Sequence, residues 1–428
     1  MESAGTKPSA GPPRARALKL LRIPKLWLFP VTLTGLVALL LSLVYMGGIV
    51  NPERHLTNLP IAVVNEDTGE PLAGRPRNAG DQIVRSLMSG AGQDRAEWLP
   101  VSREQAQDQL ASGKVYGALI IPEGFTESIK SLDGTAGVPQ RPTLTVLTNP
   151  ASGGLGSTFA TNIATGAAEQ ASRTIGEQLA QAPAHSATAS LLLADPIEID
   201  TEEGHPVGDN SGLGLSAFYY TLLLILAALL GANLISSAVD AALGYADSEI
   251  GPWHRRLATV PIDRTQTLWV KMAMTAVITA VSVSLIMLAC VSILDMDAGH
   301  LPLLWLYSYF ASLAVALGTQ AINAAFGGIG QLVSMFAFIV LGLPSSGAAV
   351  PLQAVPDIYR FLSAIEPMRH LVDGARAILY FDARADAGLA RAWIMIALGL
   401  ALALLFGFAT TVYYDRKGCR RLSLQPAK

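Results

Sequence analysis

Three short clusters carry residue types that could do chemistry. Asn65-Glu66-Asp67 sets two carboxylates beside an amide, the kind of oxygen donors a hard cation takes. The same three residues end a β-branched-rich run, LPIAVVN at 59–65, and precede Thr68-Gly69, so a turn accounts for them with no ion. Ser152-Gly153-Gly154-Leu155-Gly156 could cradle a phosphate with bare backbone amides, or serve as a flexible joint before a long helix. Gly113-Lys114 is followed by Val115, so it lacks the Mg²⁺-binding hydroxyl and the upstream glycine of a nucleotide loop. His55, His185 and His205 stand singly, and no Cys or His pair has zinc-ligand spacing. No H-E-x-x-H or G-x-S-x-G is present. The expectation is a chain that is not an enzyme, with no cofactor and no metal of its own.

The elements that hold these residues are mostly apolar. Of 428 residues, 51% are hydrophobic and 15% charged, against about a quarter charged in soluble chains. The mean hydropathy is +0.40. The net charge of -3 gives no reason to expect nucleic acid as a partner. Cys290 falls in an apolar run and Cys419 in a basic tail, so they do not pair. About 20 apolar residues cross the hydrocarbon layer as a helix. Six stretches qualify: 27–50, 213–239, 267–294, 303–326, 329–350 and 392–414.

Lysine and arginine fix their orientation. Lys7, Arg14, Arg16, Lys19, Arg22 and Lys25 precede the first stretch. Arg255, Arg256, Arg264 and Lys271 surround the second connection, and Arg416, Lys417, Arg420 and Arg421 follow the last stretch. The connection at 295–300 holds Asp295, Asp297 and His300 instead. Six crossings put all three basic clusters on one side, with both termini cytoplasmic. Trp27, Tyr219, Tyr220, Trp269, Trp305, Trp393, Tyr413 and Tyr414 fall near span ends, where an aromatic belt lies. The expected fold is an α-helical polytopic plasma-membrane protein with a large α+β extracytoplasmic domain between spans one and two. Its expected divisions are 1–26 (basic N-terminus), 27–50 (first helix), 51–212 (outer domain), 213–414 (five-helix permease part) and 415–428 (basic tail). Within the permease part lie a cytoplasmic loop at 240–266 and an outer segment at 344–391.

In the outer domain, strands are expected at 59–65, 116–121 and 143–147, with short helices at 103–111 and 123–132. Ser102-Arg103-Glu104-Gln105 is a capping-box pattern. An Ala-, Gln- and Glu-rich stretch at 157–181 has no proline and reads as a long helix. Inside the spans, Asn233, Gln320 and Asn323 are polar but neutral; they either line a path or bond helix to helix. Asp240 is the nearest approach to a membrane carboxylate of the kind ion-coupled transport uses, and it falls at a span end.

Two segments have ordered residues that charge alone does not explain. The first is Glu249-Ile250-Gly251-Pro252-Trp253-His254-Arg255-Arg256-Leu257-Ala258-Thr259-Val260-Pro261-Ile262-Asp263-Arg264, leading to Lys271. The second is Leu343-Pro344-Ser345-Ser346-Gly347, followed by Ile365-Glu366-Pro367-Met368-Arg369-His370-Leu371-Val372-Asp373-Gly374-Ala375-Arg376. Arg369, Asp373 and Arg376 share one helical face, where they could pair or touch a substrate. Both segments resemble type-2 ABC exporter permeases, and with the large outer domain the layout is similar to the Pip/YhgE branch (phage-infection and nitrosoguanidine-resistance-like proteins).

The resemblance implies a short amphipathic helix at 253–259 that docks a separate ATPase through Glu249, Gly251, Trp253, Arg255, Arg256, Leu257, Pro261 and Arg264. One position departs: the usual Gly-Thr is Gly251-Pro252 here. It also implies a broken, re-entrant helix pair before the last span, with Pro344, Pro367, Arg369, Asp373 and Arg376 at an outer gate. A homo- or heterodimer would then export a small or amphiphilic compound across the lipid bilayer. The competing expectation is a membrane-anchored envelope receptor or assembly factor acting through its outer domain.

Overall fold

The computed structural model describes residues 24–71, 77–89, 94–132, 141–180, 195–250, 252–255 and 257–419. The chain divides into two compact units at Gly47 and Gly48. The first described element, helix α1 (Pro24–Ile49), has 26 residues and is about 39 Å long at 1.5 Å per residue. Leu28, Val31, Leu36, Leu39, Leu43 and Met46 are all exposed, so apolar side chains cover its surface as a bilayer requires.

The second unit begins with a five-stranded sheet. Its strands are β1 (Leu59–Asn65), β2 (Ala96–Pro100), β3 (Gly117–Ile121), β4 (Thr143–Thr148) and β5 (Glu198–Glu203), ordered β2-β1-β3-β4-β5. Only β3 and β4 run antiparallel. Four helices accompany it: α2 (Ala79–Ser89), α3 (Arg103–Ala111), α4 (Phe125–Leu132) and α5 (Gly154–Ala180). Side chains alternate along each strand, so both faces need cover. Val63, Leu119, Ile121, Leu144 and Val146 meet α2, α4 and α5; Ala62, Val64, Ala118 and Ile120 meet Ala106 and Leu110 of α3. The edge strand β5 (EIDTEE) carries exposed acids, which discourage pairing with another chain. The strands and helices expected at 59–65, 103–111, 116–121, 123–132, 143–147 and 157–181 are present within a few residues. Helix α2 and strands β2 and β5 were not expected.

Among the described residues, five helical segments are long and apolar enough to cross a membrane. Beyond α1 they are α6 (Ser216–Ala242), α7 (Arg264–Met287, continued by a π-turn to Ile293), the stretch Leu301–Ser345, and the C-terminal helix Leu389–Arg416. The fourth holds α8 (Leu301–Phe326), a reversal at Gly327–Ile329, and α9 (Gly330–Met335). Gly327 takes φ 63° and ψ -131°, which a side chain would resist. The chain doubles back: a Cβ on Gly318 would sit 2.9 Å from Phe338. The single helix expected over 329–350 is therefore corrected to a broken one. It passes through a π-segment at Phe336–Val340 and ends at Ser345, because Pro344 lacks a donor and Gly347 takes φ 67°. Then come α10 (Asp357–Ile365), α11 (Pro367–Leu379) and α12 (Leu389–Arg416). Helix α8 lies at the centre, packed on α6, α7 and α12.

Candidate functional site

Helices α6 and α7 flank the 243–263 loop, and the last turn of α12 meets the start of α7 there. At the loop end, Asp415 of α12 accepts from the backbone N–H of Arg264 and Thr265 at 3.1 and 3.0 Å. It caps α7 in place of Asp263, whose own side chain makes no capping bond. Tyr245 donates to the Val260 carbonyl, Tyr414 to that of Ala325, and Arg264 lies over the Tyr414 ring.

The loop itself corrects the sequence reading. In place of a helix at 253–259, β6 (Ser248–Ile250) and β7 (Trp253–Arg255) pair as an antiparallel hairpin, and 257–263 is non-helical. Proline at 252 and 261 and β-branched residues at 259 and 260 favour extended backbone over a helical turn. Trp253 is 75% exposed, and Arg255 and Pro261 are exposed as well. Leu257 is half-buried, its backbone carbonyl against Gly244. Glu249 pairs through its backbone opposite His254. Gly251 and Arg256, like His185, the N-terminal basic cluster up to Arg22, and Arg420 and Arg421, lie outside the described residues.

In the middle of the bundle the polar groups bond to one another. Gln320, 1% exposed, donates to the Ala232 carbonyl and to Thr275. Asn323 donates to Asn233 at 2.8 Å. Lys271, 6% exposed, reaches Ser236 and Asp240, both at 2.9 Å. These contacts join α6, α7 and α8, which is the helix-bonding reading of Asn233, Gln320 and Asn323. Asp240 has an ammonium beside it.

At the opposite end the sheet is bolted to the segment between Ser346 and Gly388. Asp108 pairs with Arg384 and Lys114 with Asp386, both at 2.8 Å, and Thr57 donates to the Gln353 carbonyl. Hydrogen bonds from Arg384 and Lys114 hold the Asp386 carboxyl well below the usual range. Tyr380 accepts from the Ala217 N–H at the start of α6. Asp67 lies on the far side of the sheet, its two oxygens taken by Gly69, Gly80 and Thr126; this is a turn and helix-start clamp.

Between sheet and segment is a polar cavity of about 470 Å³. Lys114, Arg369, Asp373, Arg376, Asp386 and Arg391 supply its charge. Arg369 lies 3.8 Å from Asp373 and donates to Ser363, so part of the expected local pairing is present. Arg376 instead donates to the Ala348 carbonyl at 3.0 Å. Pro344 is buried away from this cavity. Pro367 opens α11 and faces an apolar groove of about 420 Å³ with Gly318, Phe338, Leu371 and Gly399. Alternate faces of α11 thus meet a polar and an apolar space. Lys114, Asp386 and Arg391 escaped the sequence reading, because no local pattern joins positions 272 residues apart.

The family described as Protein of unknown function (DUF3533) matches residues 30–399. No curated protein matches the chain. Among solved structures, a domain of a provisionally assigned ABC type-2 transporter from Thermotoga maritima MSB8 is similar over 38% of this chain and 98% of that one, with 19% identity and a TM-score of 0.26.

Proposed function

We propose that this chain, which belongs to the DUF3533 family, is the membrane-spanning permease subunit of an ATP-driven exporter. It works as a dimer with a separate ATPase and moves a small or amphiphilic compound. One observation carries the reading: α6 and α7 flank an exposed hairpin, and α12, whose Asp415 caps α7 at that end, begins at its other end beside a charged cavity beneath a folded domain. A force applied at the hairpin reaches the cavity through α7 and α12. In this reading the reversal at Gly327–Ile329 makes six crossings, the hairpin and both termini face the cytoplasm, and the sheet domain lies outside the plasma membrane.

The alternative is an envelope receptor or assembly factor that acts through the sheet domain without transport. Purification in mild detergent separates the two. The permease reading expects a nucleotide-binding subunit in stoichiometric yield, lost on Arg255→Glu with Arg256→Glu while the variant still inserts. Recovery of the chain alone, or with envelope proteins only, favours the receptor.

A further inference from the structure

The cavity's cations are not all spoken for. Of its four basic side chains, Lys114 is paired with Asp386, and Arg369 approaches Asp373. Arg376 and Arg391 form no ion pair among the described residues, so the lining carries four positive and two negative side chains.

Arg376 is the more unusual of the two. It is 6% exposed, and its Nε is buried with no hydrogen-bond partner among the described residues. A guanidinium held in the wall of a polar cavity with no counter-charge in ion-pair distance favours an anion in that space. Its other end sits against Gly153, where a Cβ would lie 3.1 Å from Nη2, and donates to the Ala348 carbonyl. An anion in the cavity would offset the excess of positive charge on its lining.

We propose that this cavity binds a phosphate group, held by Arg376 and Arg391. A tetrahedral anion accepts from several directions at once, which suits guanidinium groups drawn from the separate helices α11 and α12. Ser152 also lines the cavity, next to the glycine run that admits close approach. The phosphate could belong to a lipid headgroup, given the apolar groove on the other face of α11, or to a free or water-soluble phosphate. The site stands apart from the export reading: it requires neither an ATPase nor movement of the ligand.

Calorimetric titration of the full-length protein in dodecyl maltoside tests it with three probes: inorganic phosphate, dihexanoyl phosphatidic acid, and dihexanoylglycerol, which has the same acyl chains and no phosphate. Saturable binding of inorganic phosphate identifies a free-anion site. Binding of phosphatidic acid without inorganic phosphate identifies a headgroup site, and dihexanoylglycerol should bind at least tenfold more weakly than either. Arg376→Gln should weaken binding roughly tenfold or more. Should that buried substitution disturb folding, Arg391→Gln, at an exposed position, should still cost severalfold while eluting as the wild type does. No saturable binding of either anionic probe, equal binding of dihexanoylglycerol, or binding unmoved by Arg391→Gln overturns the proposal. None of these outcomes depends on whether a nucleotide-binding subunit co-purifies.

Discussion

The polar groups in the middle of the bundle and those in the cavity beneath the sheet differ in where their donors go. In the bundle, Gln320, Asn323, Asn233 and the Lys271–Asp240 pair spend their donors on neighbouring helices. In the cavity, Arg376 and Arg391 have no anionic partner within ion-pair distance among the described residues, and a space of about 470 Å³ adjoins them. The difference lies in the donors and the charge, since Gln320 Oε1 and Asn323 Oδ1 in the bundle also lack a hydrogen-bond partner among the described residues. A polar residue in a span does not by itself mark a path.

Lys271→Met tests the bundle side most severely. It takes the ammonium away from Asp240 inside the bundle and should cost about 3 kcal/mol of stability. A fall in the thermal midpoint in detergent checks it, and an unchanged midpoint would erase the distinction between the two regions.

A smaller effect is expected at the loop end. Asp415→Ala uncaps α7 at Arg264 and Thr265 and should cost about 1 kcal/mol. Faster proteolytic cleavage within 243–263, with the cavity's ligand binding intact, would show that the two ends are separately held. Loss of both together would show one cooperative unit.

The smallest effect comes from the sheet domain. The Arg103 hydrogen bond beside Glu66 lowers that carboxyl from its ordinary value of 4.5. A lowered folded-state pKa stabilises above the unfolded value, and the gain is lost as pH falls through the folded one. Arg103→Ala should thus cost a few tenths of a kcal/mol at pH 7, because both side chains are a third or more exposed. The difference from wild type should vanish well below pH 4.5 in denaturation series.

Much of this organisation is legible in the residues. The Ser102–Gln105 capping box is a local signal and forms as written. Apolar runs near 20 residues locate five of the helices to within a few positions, because hydrocarbon thickness sets their length. The fifth stretch fails because Pro344 and Gly347 act on backbone geometry that hydropathy ignores. Strand β5 is an acidic edge strand, held by its parallel pairing with β4 and not by β propensity. Helix α2 and strand β2 also depend on tertiary packing. The cavity is the least legible feature. Arg369, Asp373 and Arg376 announce themselves by helical spacing, whereas Lys114, Asp386 and Arg391 join them only when the sheet folds onto the 346–388 segment.

The central claim is that the hairpin end takes its work from a nucleotide-binding partner. ATP hydrolysis by the tagged, detergent-purified chain tests this most directly, compared between wild type and the Arg255→Glu, Arg256→Glu double variant. The account predicts a co-purifying subunit and steady ATP turnover in the wild type, both lost in a variant that still elutes as a folded membrane protein. A wild-type preparation that holds no such subunit and hydrolyses no ATP, or a double variant that keeps both, would contradict it.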